Sequence, residues 1–140
     1  MKTEVALGID MGGTNTAFGF VDREGQFWAE GNIATNKHED FSDYLKELHL
    51  AIEQALNPIR DRVTLVGIGT GAPSGNHLQG TIDYSTNLRW DGPIAFCDLL
   101  QEYYPSIPVK IDNDANAATI GEMMYGGAKG MKDFVMITLG

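Results

Sequence analysis

What the chain does after its first apolar run limits the fold more than any other feature. Val5, Leu7 and Ile9 alternate with smaller residues, the period of a strand, and the run ends at Asp10. Met11 to Asn15 supplies Gly12 and Gly13 for a turn, and Thr16 to Asp22 returns as a second strand carrying Phe18 and Phe20. A strand, not a helix, follows the glycines, so this is not a dinucleotide fingerprint. The G-x-x-x-x-G-K-[ST] loop and its lysine are missing as well. Asp22-Arg23-Glu24-Gly25 is a turn signal, and Gln26 to Ile33 reads as a third strand. The opening is therefore an antiparallel meander.

Beyond the meander the period changes. Phe41, Tyr44, Leu45, Leu48, Ile52, Ala55 and Leu56 fall at helical spacing, with Asp40 or Ser42 able to cap the start and Pro58 marking the stop. Val63 to Ile68 reads as a buried strand. Gly69 to Trp90 is a long irregular stretch with a short hairpin around Gly80. A helix over Ile94 to Tyr104, a strand over Ile107 to Ile111, a helix over Ala115 to Tyr125 and a strand over Phe134 to Leu139 complete the reading. A meander followed by alternating helices and strands predicts an α/β domain: a mixed five-to-six-stranded sheet with helices on both faces. An irregular stretch as long as Gly69 to Trp90 is uncommon inside a compact domain and is usually functional. With no repeat or linker in its 140 residues, the chain is expected to form one domain over residues 1–140.

Composition excludes some partners. A formal charge of −9 argues against nucleic acid, because there is no basic stripe to displace phosphate counterions. It does not exclude a phosphorylated small molecule held by backbone amides and a metal ion. The single cysteine, Cys97, cannot form an intramolecular disulfide and is expected as a buried core thiol on a helix face. No apolar run is long enough for a bilayer, and M-K-T-E-V lacks a signal-peptide core, so no membrane partner and a cytoplasmic location are expected.

Two segments carry chemistry. In D-M-G-G-T-N, residues without side chains let phosphate oxygens approach backbone N–H groups closely. Thr14 can add a hydroxyl, and Asp10 can hold a hydrated magnesium ion. A plain tight hairpin also uses glycines, and the residues alone leave both readings open. In V-K-I-D-N-D-A-N-A-A-T-I-G-E, a strand ends in consecutive polar residues just before an Ala-rich helix. That places the Asp114 carboxylate at the mouth of a cleft, where it can accept a proton from an attacking hydroxyl, a role worth roughly 10²–10⁴-fold. Asn113 offers a donor and an acceptor, which suits vicinal sugar hydroxyls. The alternative is a helix cap, worth roughly 0.3–1 kcal/mol, but one cap needs only one of Asp112, Asn113 and Asp114. G-I-G-T-G-A-P-S-G follows a strand and should lie beside the same cleft; downstream, Asn87 can bond a hydroxyl while Trp90 reads as a core anchor. His38, His49 and His77 show no metal-ligand spacing. A phosphate cradle and a proton-accepting carboxylate together suggest phosphoryl transfer.

L-G-I-D-M-G-G-T-N-T resembles the first phosphate motif of the ROK family (repressors, open reading frames and sugar kinases), within the ribonuclease H-like, actin-like ATPase fold. The resemblance continues through G-I-G-T-G-A-P-S-G, T-N-L-R-W, D-N-D-A-N-A-A and G-G-A-K-G-M-K-D-F-V-M-I-T-L-G, in family order and at family spacing. It is strongest to bacterial glucokinases. The resemblance implies that Asp114 is the catalytic base acting on the sugar's sixth hydroxyl, and that Gly71, Asn113 and Asn87 bind sugar alongside Asp114. It implies that Asp10 is the magnesium-associated aspartate and that Gly12, Gly13 and Thr14, with Asn15 beside them, hold the phosphates of ATP.

Ser74 stands where the family commonly carries glycine, which puts the exact sugar in doubt. The family's second phosphate motif, its zinc-binding cysteine cluster and its further sugar-binding Glu and His residues have no counterpart here. The chain thus resembles the amino-terminal lobe of an ATP- and Mg²⁺-dependent hexose kinase whose parent is a homodimer or higher oligomer. Other readings are a kinase for N-acetylmannosamine, N-acetylglucosamine or fructose, the sugar-sensing lobe of a ROK repressor, and a non-catalytic actin-like lobe.

Overall fold

The alternation in the first strand builds the sheet. The structure, a computed structural model, describes residues 2–84 and 88–113. In chain order the elements are β1 (Thr3–Met11), β2 (Asn15–Val21), β3 (Phe27–Ala34), α1 (Phe41–Leu56), a 3₁₀ turn (Asn57–Ile59), β4 (Val63–Gly71), β5 (Gly75–Asn76), β6 (Thr81–Ile82), α2 (Phe96–Tyr103) and β7 (Val109–Asp112). The main sheet has five strands in the order β3-β2-β1-β4-β7. β1, β2 and β3 pair antiparallel, as the glycine turn requires, and β1, β4 and β7 run parallel.

Register makes one face apolar. Leu7 sits opposite Phe20 on one side and Ile68 on the other, and Ile9 sits opposite Phe18. All of these side chains are buried. α1 covers this face with Tyr44, Leu45, Leu48, Ile52 and Leu56, the helical positions read in the sequence. α2 lies beside it on the same face: Phe96 meets Phe41 edge-on at 6.1 Å, and Tyr103 stacks on His49 at 4.2 Å. Residues of the opposite face, Ala6, Gly8, Ala17, Gly19, Gly67 and Gly69, are small.

Several boundaries differ from expectation for physical reasons. β4 runs beyond Ile68 to Gly71 because Gly69, Thr70 and Gly71 pair with both β1 and β7. α2 begins at Phe96, not Ile94, because Ile94 exchanges backbone bonds of 2.8 and 2.9 Å with Ile82 and is extended. β7 begins at Val109 because the Ile107 N–H turns back to the Tyr104 carbonyl at 3.1 Å. Asp40 occupies the cap position of α1, but its side chain makes no capping bond. The hairpin expected around Gly80 is β5–β6, with Gly80 at φ +70°. Trp90 is a core anchor, 4.8 Å from the Tyr44 ring. Cys97 is half-buried, not fully buried, and burial pushes its thiol up to about 11, with Asp98 adding to the shift. The helix and strand expected over 115–125 and 134–139 lie outside the described residues.

Candidate active site

Three parallel strands end at one edge of the sheet, and their last residues form a row. Asp10 of β1 is in register with Gly71 of β4, and Gly71 with Asp112 of β7. Residues paired in this way point to the same face, so Asp10 and Asp112 flank a position without a side chain. Strand spacing puts their backbones about 10 Å apart, with Gly71 between them.

Asp10 leads into the turn that returns as β2. Gly12 N–H donates to the Asn15 carbonyl at 2.9 Å, closing Gly12–Asn15 into a tight loop. A Cβ added at Gly12 would lie 2.9 Å from that same carbonyl, so the loop closes only around glycine. Gly13, Thr14 and Asn15 complete the loop, and Thr14 and Asn15 are exposed. Asp10 is half-buried, and burial pushes its carboxyl above its ordinary value.

On the other side of the row, β4 hands over to the β5–β6 arm. Ala72 N–H donates to the Asp112 carbonyl at 3.1 Å, and a Cβ at Gly75 would collide with that carbonyl, so arm and β7 tip are in close contact. Ser74 takes φ +60°, the left-handed conformation that glycine adopts freely. Its carbonyl accepts the Asp83 N–H at 2.9 Å. The arm is bound within itself: Asn76 Oδ1 accepts the Leu78 and Gln79 N–H groups, and Asn76 Nδ2 and Thr81 Oγ1 donate to the Asp83 carboxylate.

Asp112 is the group the sequence underrated. It reads there as one of several polar residues capping a helix, but it is buried, and its Oδ1 accepts the Asn113 N–H at 2.7 Å. Its Oδ2 lies 3.5 Å from Nδ1 of His77, an exposed residue on the arm. Only the strand pairing, which sets Asp112 beside Gly71, reveals this. Of the predicted site residues, the structure brings Asp10, Gly12, Gly13, Thr14, Asn15, Gly71 and Asn113 to one sheet edge. Asp114 and Asn87 lie outside the described residues. Among the described residues no cluster of three metal-ligating side chains occurs, and no helix is long and apolar enough to cross a membrane.

The sheet order, with a glycine turn between the first two strands and carboxylates along the edge, defines the actin-like ATPase fold. Within that class the chain belongs to the ROK family, whose sequence model matches residues 6–140. It is 34% identical over 137 residues to a glucokinase of Halalkalibacterium halodurans, covering 96% of this chain and 41% of that protein. A putative xylose repressor of a Caldicellulosiruptor species is 28% identical, covering 96% of this chain and 34% of that one. The crystal structure of a ROK family glucokinase from Streptomyces griseus in complex with glucose and AMPPNP superposes with a TM-score of 0.66 at 26% identity, covering 90% of this chain and 38% of that one. The chain therefore spans about two-fifths of the length of the glucokinase it matches.

Proposed function

We propose that this chain is the amino-terminal lobe of an ATP-dependent hexose kinase, most simply a glucokinase, that transfers the γ-phosphate to the sugar 6-hydroxyl. The observation that carries the reading is the row Asp10, Gly71, Asp112 along the carboxyl edge of the sheet, with the glycine loop at one end and Asn113 at the other. On this reading the row has a phosphate end and a sugar end, with Gly71, which has no side chain, between them. Ligands of open α/β sheets occupy that edge.

The residues present fit magnesium-bound ATP. Gly12 closes the loop on the Asn15 carbonyl, and two successive residues without side chains, Gly12 and Gly13, would let phosphate oxygens approach its backbone. Asp10 is a carboxylate whose burial disfavours its charge, an arrangement that a nearby cation stabilises. Gly12, Gly13, Thr14 and Asn15 would hold the phosphates and Asp10 the hydrated metal, which when bound supplies charge neutralisation for the transferring group. Gly71 gives the sugar room, Asn113 and Asn87 bond its hydroxyls, and Asp114 takes the proton of the 6-hydroxyl as that oxygen attacks. Asp112 holds the Asn113 amide and so orients the β7 tip.

The test is a coupled kinase assay of the two-lobed enzyme across a panel of hexoses. Glucose turnover is expected, with Asp114→Ala lowering kcat by roughly 10²–10⁴-fold while sugar affinity changes little. An unchanged kcat in that variant removes the base assignment. The putative xylose repressor among the relatives favours a second reading, a sugar-sensing lobe, which predicts sugar binding with no phosphate transfer to any hexose.

A further inference from the structure

Directly behind the glycine loop lies a buried group of hydroxyls that the proposed chemistry does not use. Thr16 Oγ1 is 2.7 Å from Thr35 Oγ1 and 2.8 Å from the Tyr44 hydroxyl. Their exposures are 0% for Thr16, 1% for Thr35 and 0% for Tyr44. They come from three separate parts of the chain: β2, the residue after β3, and α1. Thr16 follows Asn15 and pairs with Met11, so it sits at the root of the loop. Thr35 directly follows β3, the strand next door, and its N–H donates to the Thr14 carbonyl at 2.8 Å. Tyr44 belongs to the first turn of α1.

Thr35 thus grips the loop twice, by its main chain at Thr14 and through its hydroxyl at Thr16. Tyr44 reaches the same point from the helix. Its ring is held in turn by Trp90 at 4.8 Å and Phe41 at 5.5 Å. Burial pushes its phenol well above the ordinary tyrosine value, so it stays a neutral hydrogen-bonding group. Valine and phenylalanine would fill this volume without desolvating any hydroxyl, and a buried hydroxyl pair adds little net stability. What the hydroxyls add is direction: a bond that tolerates a few tenths of an ångström, where apolar contact tolerates sliding.

We propose that Tyr44 is a positioning residue for the phosphate loop: acting through Thr16 and Thr35, it fixes from behind where the Gly12–Asn15 amides stand. The proposal rests on reading that loop as the ATP cradle. Its role falls on nucleotide binding and not on the sugar side.

Tyr44→Phe in the two-lobed enzyme tests it. The ring and its packing remain, and Thr16 keeps its bond to Thr35, so no hydroxyl is stranded and Tm should barely move. The KM for ATP should rise about three- to tenfold, the loss of one aligned hydrogen bond, with the KM for sugar nearly unchanged. Amide hydrogen exchange over residues 12–16 should quicken while the β1–β4 pairing keeps its protection. Thr35→Val, which cuts the group at its other end, should raise the ATP KM similarly, and Tyr44→Phe with Thr16→Val should be less than additive. Unchanged exchange over 12–16 in Tyr44→Phe overturns the proposal. So does a parallel rise of both KM values with a fall in Tm, the mark of a merely structural role. A wild-type enzyme without ATP affinity would sink the kinase reading, whereas the exchange experiment judges the tie by itself.

Discussion

Asp10 is where folding and the proposed function pull against each other. Burial raises its carboxyl above the ordinary value of 3.8, so the folded chain binds that proton more tightly than the unfolded chain does. Stability therefore falls as pH rises from the ordinary value through the raised one, and at neutral pH the ionised Asp10 is a cost to the fold. Asp10→Asn keeps the shape and removes the charge. It should raise Tm at pH 7, with the gain shrinking as pH falls below the ordinary carboxyl range. Phosphate transfer should move the other way, by roughly 10–100-fold, the usual loss when a group orienting a metal's shell is neutralised. Melting curves at pH 4 and pH 7 beside a kinase assay check both; a variant that melts lower at pH 7 contradicts the account. Ser74 is a second costly residue. At φ +60° an L-residue costs about 1–2 kcal/mol, while glycine forfeits about 0.5–1 kcal/mol in backbone entropy. Ser74→Gly should therefore stabilise by about 0.5–1 kcal/mol in denaturant unfolding, since its φ already suits glycine.

Among the elements, those with one buried face were legible in the sequence. β1 to β3 and α1 each repeat at their own period and stop at a glycine, a turn or Pro58, so local chemistry decides both type and extent. Where a partner decides, the sequence was silent. β4 is apolar or glycine along most of V-T-L-V-G-I-G-T-G and would look buried in any register. Its pairing with β1 shifts at Val5/Ala6: Leu65 faces Val5 but Gly67 faces Ala6, so Val66 is an extra residue. Without that bulge Thr70, not Gly71, would stand beside Asp10, and Ile68 would leave the apolar face. The row of Asp10, Gly71 and Asp112 thus depends on one inserted residue that no period reveals. Ile94 is the same lesson in a helix: its spacing fits α2, but the bridge to Ile82 holds it extended. The row along the sheet edge is likewise a product of pairing, which is why Asp112 looked like a cap. The roles of Asp114 and Asn87 still stand on the family resemblance.

For the molecule as a whole, the proposed reading makes the edge formed by β1, β4 and β7 one wall of a site. The chain carries a formal charge of −9, and the Gly12–Asn15 loop contains no Lys or Arg. On the proposed reading a nucleotide would be held there by backbone amides and its own magnesium, groups that attract only at short range and in the right orientation. Orientation is also what phosphoryl transfer demands, since holding reactants in line can supply about 7–11 kcal/mol of the barrier reduction. A single wall provides one set of contacts and leaves the far side of both ligands in water, where charge stabilisation is weak. On the proposed reading, the 140-residue chain alone should show no measurable phosphate transfer to glucose, and calorimetric titration should give a glucose Kd no tighter than about 1 mM. Joined to a second lobe, the same residues should regain both turnover and affinity, and ATP binding should become dependent on magnesium. Turnover by the 140-residue chain within tenfold of the two-lobed enzyme would mean that the edge row is itself a complete active site, and that the second wall contributes neither orientation nor exclusion of water.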